Sequence, residues 1–129
     1  MFETGKNYTR EDIHALCGGN KQSFLPTSKG KVVAACLRPE LNPQAPDVIL
    51  VNSSASARAA GRTLAKQTNA IPVFIWQATD RFRYVGHYAA AESLTAPLDC
   101  APFARNTSFT PGQISRVIKL KRSSSAANA

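Results

Sequence analysis

Residues 71–91 read IPVFIWQATDRFRYVGHYAAA, and this stretch decides the fold. Two strand-like runs, Ile71–Trp76 and Arg83–Ala91, flank a turn at Thr79-Asp80, which predicts a β-hairpin. Period-two alternation puts Tyr84, Gly86 and Tyr88 on one face of the second run. Arg83, Val85, His87 and Ala89 fall on the other. Gly86, between two tyrosines, leaves bare backbone that either marks a bulge or admits a ligand. Aromatic faces interleaved with arginines suit the holding of an exposed base beside a phosphate backbone. Trp76, Tyr84 and Tyr88 are therefore candidate stacking residues, and Arg81 and Arg83 candidate backbone contacts. The same aromatics also fit a buried strand, because large apolar side chains are mostly inside.

Towards the N-terminus, Thr9 is placed to cap a helix over Arg10–Cys17. Asp12 stands in the capping-box position, and two acids sit at the positive end of the helix dipole. Gly18-Gly19 stops that helix. Tyr8 and Arg10 at its start are candidates to meet a phosphate. Pro26–Gly30 reads as a turn and Lys31–Leu37, KVVAACL, as one buried strand. Arg38–Asp47 holds Pro39, Pro43 and Pro46, which forbid regular structure and predict a rigid loop. Asn42 in that loop has an amide that both donates and accepts, so it is a candidate to read a base edge. Its alternative role is a turn residue before proline.

Val48–Val51 reads as a strand. Ser53 or Ser54 then caps a helix running to about Gln67, with an apolar stripe of Ala57, Ala60 and Leu64. Arg58, Arg62 and Lys66 recur at i, i+4 and i+8 on one face with no acids to pair them. A polyanion would relieve that repulsion, although a solvated face has the same pattern. On the C-terminal side of the hairpin, Leu94–Pro111 reads as loop and Gln113–Lys121 as a last strand. The remainder, RSSSAANA from Arg122, is low in complexity. One domain over residues 1–122 and a disordered tail over 123–129 are expected.

The chain has 129 residues, 16 Lys+Arg against 8 Asp+Glu, and a net charge of +8. That excess favours a polyanionic partner, and nucleic acid is the first choice. No run is long and apolar enough to span a membrane. Cys17, Cys36 and Cys100 form no metal-ligand or disulfide pattern, so free thiols in a reducing cytoplasm are expected, with no metal and no cofactor. The two histidines, His14 and His87, have no orienting partner in sequence. Pro46-Asp47 before an apolar strand suggests a nuclease, but Val48–Arg58 carries no acid to complete a metal site. Phosphate-loop, dinucleotide and nucleophile-elbow motifs are absent. No catalytic residue is assigned, and the chain is expected not to be an enzyme.

Taken together, the ordered set Tyr8-Thr9-Arg10-Glu11-Asp12-Ile13 with Gly18-Gly19, Leu25-Pro26, Gly30-Lys31-Val32-Val33, Asn42-Pro43 with Pro46, Ile71–Ile75, and Tyr84, Gly86 and Tyr88 resembles small modules associated with HNH restriction endonucleases. The order of elements also looks like the SRA and PUA-like domains that read modified bases. The resemblance implies an α+β fold: a curved mixed sheet forming a PUA/SRA-like barrel with two flanking helices. It further implies a non-catalytic module that binds nucleic acid, double-stranded DNA first, and reads a modified base for a restriction or defence system. A separate nuclease effector would be the partner. Two other functions fit the residues: a protein-interaction module using an aromatic sheet face, and an enzyme on a small nucleotide using His87.

Overall fold

In the computed structural model, which describes residues 2–123, the hairpin at 71–91 is the centre of a mixed sheet. The elements in chain order are β1 (Asn7–Tyr8), α1 (Arg10–Cys17), β2 (Thr27–Ser28), β3 (Lys31–Val32) and β4 (Ala35–Leu37). Then come β5 (Val48–Asn52), α2 (Ala55–Lys66), β6 (Ile71–Ala78), β7 (Arg81–Leu94), α3 (Pro97–Cys100) and β8 (Ile114–Arg122). The sheet runs β4-β6-β7-β8-β5, with β1 added alongside β7. β4 lies parallel to β6, and the other pairings are antiparallel. The expected α+β class and mixed sheet are present. The hydrogen-bonded path ends at β4 and β5, and no pairing closes it into a barrel among the described residues.

Local signals place most elements. Thr9 Oγ1 accepts from Asp12 N at 3.0 Å while the Asp12 carboxylate accepts from Thr9 N at 3.0 Å, so the capping box is complete. Gly18 and Gly19 stop α1 with φ of 82° and 78°. Ser54 caps α2, its Oγ accepting from Ala57 N at 3.3 Å, a contact of about 1 kcal/mol. Asp80 takes the left-handed conformation in the β6–β7 turn. The bulge choice for Gly86 is correct: the register skips Val85, pairing Phe74 with Tyr84 and Val73 with Gly86. Gly86 has φ of 133°, and a Cβ there would lie 3.1 Å from the Arg122 guanidinium.

Three expectations need correction. Lys31–Leu37 is not one strand: Val32 pairs back onto Thr27 as a small hairpin, and only Ala35–Leu37 joins the main sheet. Leu94–Pro111 is not all loop, because β7 runs on to Leu94 and is followed by α3 and a 3-10 turn at Ala101–Ala104. The helices therefore number three, not two, among the described residues. The tail from 124 onward lies outside the described residues.

The core forms three clusters around the sheet. Leu37, Ile49, Val51, Leu64, Ile71, Val73 and Ile118 are fully buried between the sheet and α2. Ile13, Phe74, Phe82 and Tyr84 pack under α1. Val48, Leu50, Cys100, Ala104, Ile114 and Val117 pack under α3.

Candidate functional site

Both end strands of the sheet help to line a cavity of about 1050 Å³, contributing Cys36 from β4 and Leu50 and Asn52 from β5. Ser56, Ala59, Ala60 and Thr63 of α2 form another wall, and Trp76 and Phe82 reach it from the central hairpin. The segment after α1 adds Asn20, Gln22 and Ser23. Arg10, Arg38 and Asn42 complete its polar chemistry.

Trp76 is half-buried, with the Arg38 guanidinium carbon 4.5 Å from its ring centroid. Parallel pairing of β4 with β6 produces this contact: Leu37 pairs with Ile75, so the next residues along each strand, Arg38 and Trp76, are neighbours. Glu40 holds the Arg38 Nε at 2.9 Å. Asn42 is only 5% exposed. Its Oδ1 accepts from Leu50 N at 2.8 Å, while its Nδ2 has no partner among the described residues. Arg10 donates through Nη2 to the carbonyls of Asn20 (3.2 Å) and Ser23 (2.9 Å), and its Nε is buried without a partner. Arg10 Nε is shut off from solvent, with the guanidinium carbon 5.6 Å from the Phe82 ring centroid, so the Asn42 amide is the uncommitted donor left for a ligand to satisfy. Burial pushes the Cys36 thiol up to about 12, with Arg10 partly opposing, so Cys36 lines the wall as a neutral group.

Of the eleven candidate residues, the structure brings three to this cavity: Arg10, Asn42 and Trp76. Tyr84 and Tyr88 are 5% and 6% exposed and pack in separate core clusters, so neither offers a free ring face. They do not share a face as alternation predicts: Tyr84 pairs with Phe74 and Tyr88 with Ile71, so the bulge at Gly86 turns Tyr84 towards α1 and Tyr88 towards α2, on opposite faces of the sheet. Tyr8 packs its ring edge against Phe2 at 4.9 Å, and its hydroxyl accepts from Glu3 N at 2.8 Å. The start of α1 is not open to a phosphate: the capping box fills it, and the Asp80 carboxylate accepts from Arg10 N at 2.9 Å. A second anion there would meet two carboxylates. Arg81 and Arg83 are exposed on the strand face opposite Phe82, away from the cavity.

Arg58, Arg62 and Lys66 are exposed along α2 and make no ion pair among the described residues. Helical spacing sets this stripe beside the Ala59 and Thr63 wall of the cavity and opposite the buried Ala57, Gly61 and Leu64. The sequence reading missed Arg38, Phe82 and the donor-bearing Asn20 and Asn52. Only the parallel β4–β6 pairing joins Arg38 to Trp76, and no local pattern signals it.

His87 lies away from the cavity, with Nδ1 against the Tyr84 hydroxyl. Burial lowers the His87 pKa and raises that of Tyr84, so both groups are held neutral across this hydrogen bond. Among the described residues no cluster of His, Cys, Asp and Glu could hold a metal ion, and no helix is long and apolar enough to cross a membrane.

No protein-family model matches the chain, and a search of curated proteins finds no match. Among solved structures it is similar to the SRA domain of SUVH5 in complex with hemi-methylated CG DNA. The TM-score is 0.63 at 15% identity, over 95% of this chain and 89% of that one. The fold is SRA-like. The same SUVH5 domain bound to fully hydroxymethylated CG DNA superposes with a TM-score of 0.61 at 15% identity, over 95% of this SRA-like chain and 90% of that one.

Proposed function

We propose that this protein is a non-catalytic reader of a modified base in double-stranded DNA. The observation that carries the proposal is the cavity itself: a half-buried Trp76 with Asn42, whose Nδ2 has no partner among the described residues, within an SRA-like fold. A base turned out of the duplex stacks on the indole, and its edge supplies the acceptor that the Asn42 amide lacks. Extrusion costs a few kcal/mol, offset by about 1–3 kcal/mol of stacking per base and by the edge hydrogen bonds. Arg58, Arg62 and Lys66, beside the cavity wall, take the backbone phosphates, and Arg81 and Arg83 add to the basic field. A separate nuclease effector, in a restriction or defence system of a reducing cytoplasm, would act on the DNA so marked.

The cavity offers recognition but no acid–base pair: Cys36 is held neutral, and His87 lies elsewhere. The interaction-module alternative requires an aromatic sheet face on the surface, whereas Phe74, Tyr84 and Tyr88 are buried. Fluorescence anisotropy with duplexes differing at one cytosine, unmodified or modified, tests the proposal. Tighter binding to a modified duplex, weakening with salt by about 0.9 log units per phosphate contact, is expected. Equal affinity for every duplex would overturn it.

A further inference from the structure

Charge of one sign gathers on one side of the cavity. Between Asp12 and Glu40, and again between Asp47 and Asp80, the chain has no acidic residue, and these two stretches hold the β2–β3 hairpin and α2. Arg58, Arg62 and Lys66 are exposed on α2, about 6 Å apart along its axis. Gln67, which follows Lys66, ties the hairpin to the end of this stripe. Its Oε1 accepts from Val32 N at 2.6 Å, and its Nε2 donates to Val32 O at 3.1 Å. Lys31 precedes Val32 in β3 and is exposed, as is Lys29 at the hairpin's tip. Thr27 of β2 lines the cavity, as Ala59 and Thr63 of α2 do, so the hairpin and α2 share its rim.

The hairpin's turn is an independent observation. Lys29 and Gly30 connect β2 to β3 with φ of 52° and 79°, both positive as a type I′ turn requires. Such a turn favours asparagine, aspartate or glycine at its first position, because they tolerate the left-handed region and lysine does not. Local preference therefore does not explain Lys29, whereas a surface that meets a polyanion uses its charge. We infer that the β2–β3 hairpin is a second backbone contact. It continues the α2 stripe, so that Lys66, Lys31 and Lys29 follow the phosphates of the DNA strand whose base enters the cavity. The inference rests on the modified-base proposal above and adds a separate segment of chain to its backbone contacts.

Lys29→Asn separates binding from folding, because it removes the charge and supplies a residue that the turn prefers. This variant should have a urea midpoint at least as high as the parent's, yet bind duplex DNA more weakly. Combined with Lys31→Gln, it should make the slope of log K against log salt shallower by about 1.8, at about 0.9 per lost contact. Duplexes carrying cytosine or methylcytosine at one position serve as probes, and both should weaken alike. If the double variant keeps the parent's salt slope, the inference falls, and a shallower slope in Arg62→Ala would show that the α2 contact stands without it. If the parent binds neither duplex in a salt-dependent way, the inference and the base-reading proposal fall together.

Discussion

The Arg38 guanidinium lies over the Trp76 indole at 4.5 Å, although the two residues come from strands far apart in sequence. Stacking of this kind is worth about 0.5–1 kcal/mol at an exposed site. It also holds the ring in one orientation at the cavity wall, the surface on which the proposed function places the base.

Trp76 and Tyr88 should therefore respond oppositely to the same substitution. Trp76→Ala should lower affinity for the preferred duplex by about 1–3 kcal/mol while costing less stability than a fully buried aromatic would. Tyr88→Ala empties a core site and should cost about 3–5 kcal/mol of stability, the range for buried aromatics. Its affinity, measured well below the unfolding transition, should stay near that of the parent. Urea denaturation beside binding titrations separates the two. Parallel losses in both variants would remove Trp76 from the site.

Gly61 gives a packing prediction free of any assumption about ligand. A Cβ at this position would lie 2.8 and 2.9 Å from the two Val51 methyl carbons, on a stiff β-branched side chain in the buried β5. Alanine in a helix interior gains about 1 kcal/mol of propensity over glycine, but overpacking costs about 1–3 kcal/mol. Gly61→Ala should therefore lower the denaturation midpoint, and a raised midpoint would show that α2 slides away from the sheet at little cost.

The pH dependence follows from His87. Burial holds its folded-state pKa below the ordinary value of about 6.5, so near that pH the unfolded chain binds the proton more readily. Stability should be full above pH 7 and fall as pH drops through the unfolded value, levelling off below the folded one. His87→Gln should flatten this slope in thermal melts between pH 7.5 and 5.5. An unchanged slope would assign the effect to other groups.

What could be read in advance was local. The capping box at Thr9 and Asp12, the Gly18-Gly19 stop, the Ser54 cap and the hairpin turn at Asp80 depend on neighbours in sequence. Asn42 was legible as an amide held by prolines, although its Oδ1 partner, Leu50, was not. The site was otherwise hidden because non-local pairing builds it. Alternation along β7 predicts one face for Tyr84 and Tyr88, but the bulge at Gly86 shifts the register, so Tyr84 shares a face with Phe74 and His87, and Tyr88 packs on the opposite face with Ile71 and Val73. Lys31–Leu37 failed as one strand because Gln67 of the distant α2 terminus bonds both Val32 N and Val32 O, holding that residue in the small hairpin.

The last prediction concerns the α2 stripe. Arg62 stands between Arg58 and Lys66 at helical spacing, exposed and without an ion-pair partner among the described residues, so each neighbour repels it. If the stripe is only a solvated face, Arg62→Ala removes two repulsions and changes nothing in DNA binding. If it holds phosphates, the same variant loses one contact: affinity falls for all duplexes alike, and the slope of log K against log salt becomes shallower by about 0.9. The preference for a modified base over cytosine should not move, because the cavity is untouched. Stability should be equal to that of the parent or slightly higher, which separates a binding loss from a folding loss. A variant with an unchanged salt slope would move the phosphate track from α2 to the Arg81 and Arg83 side of the hairpin.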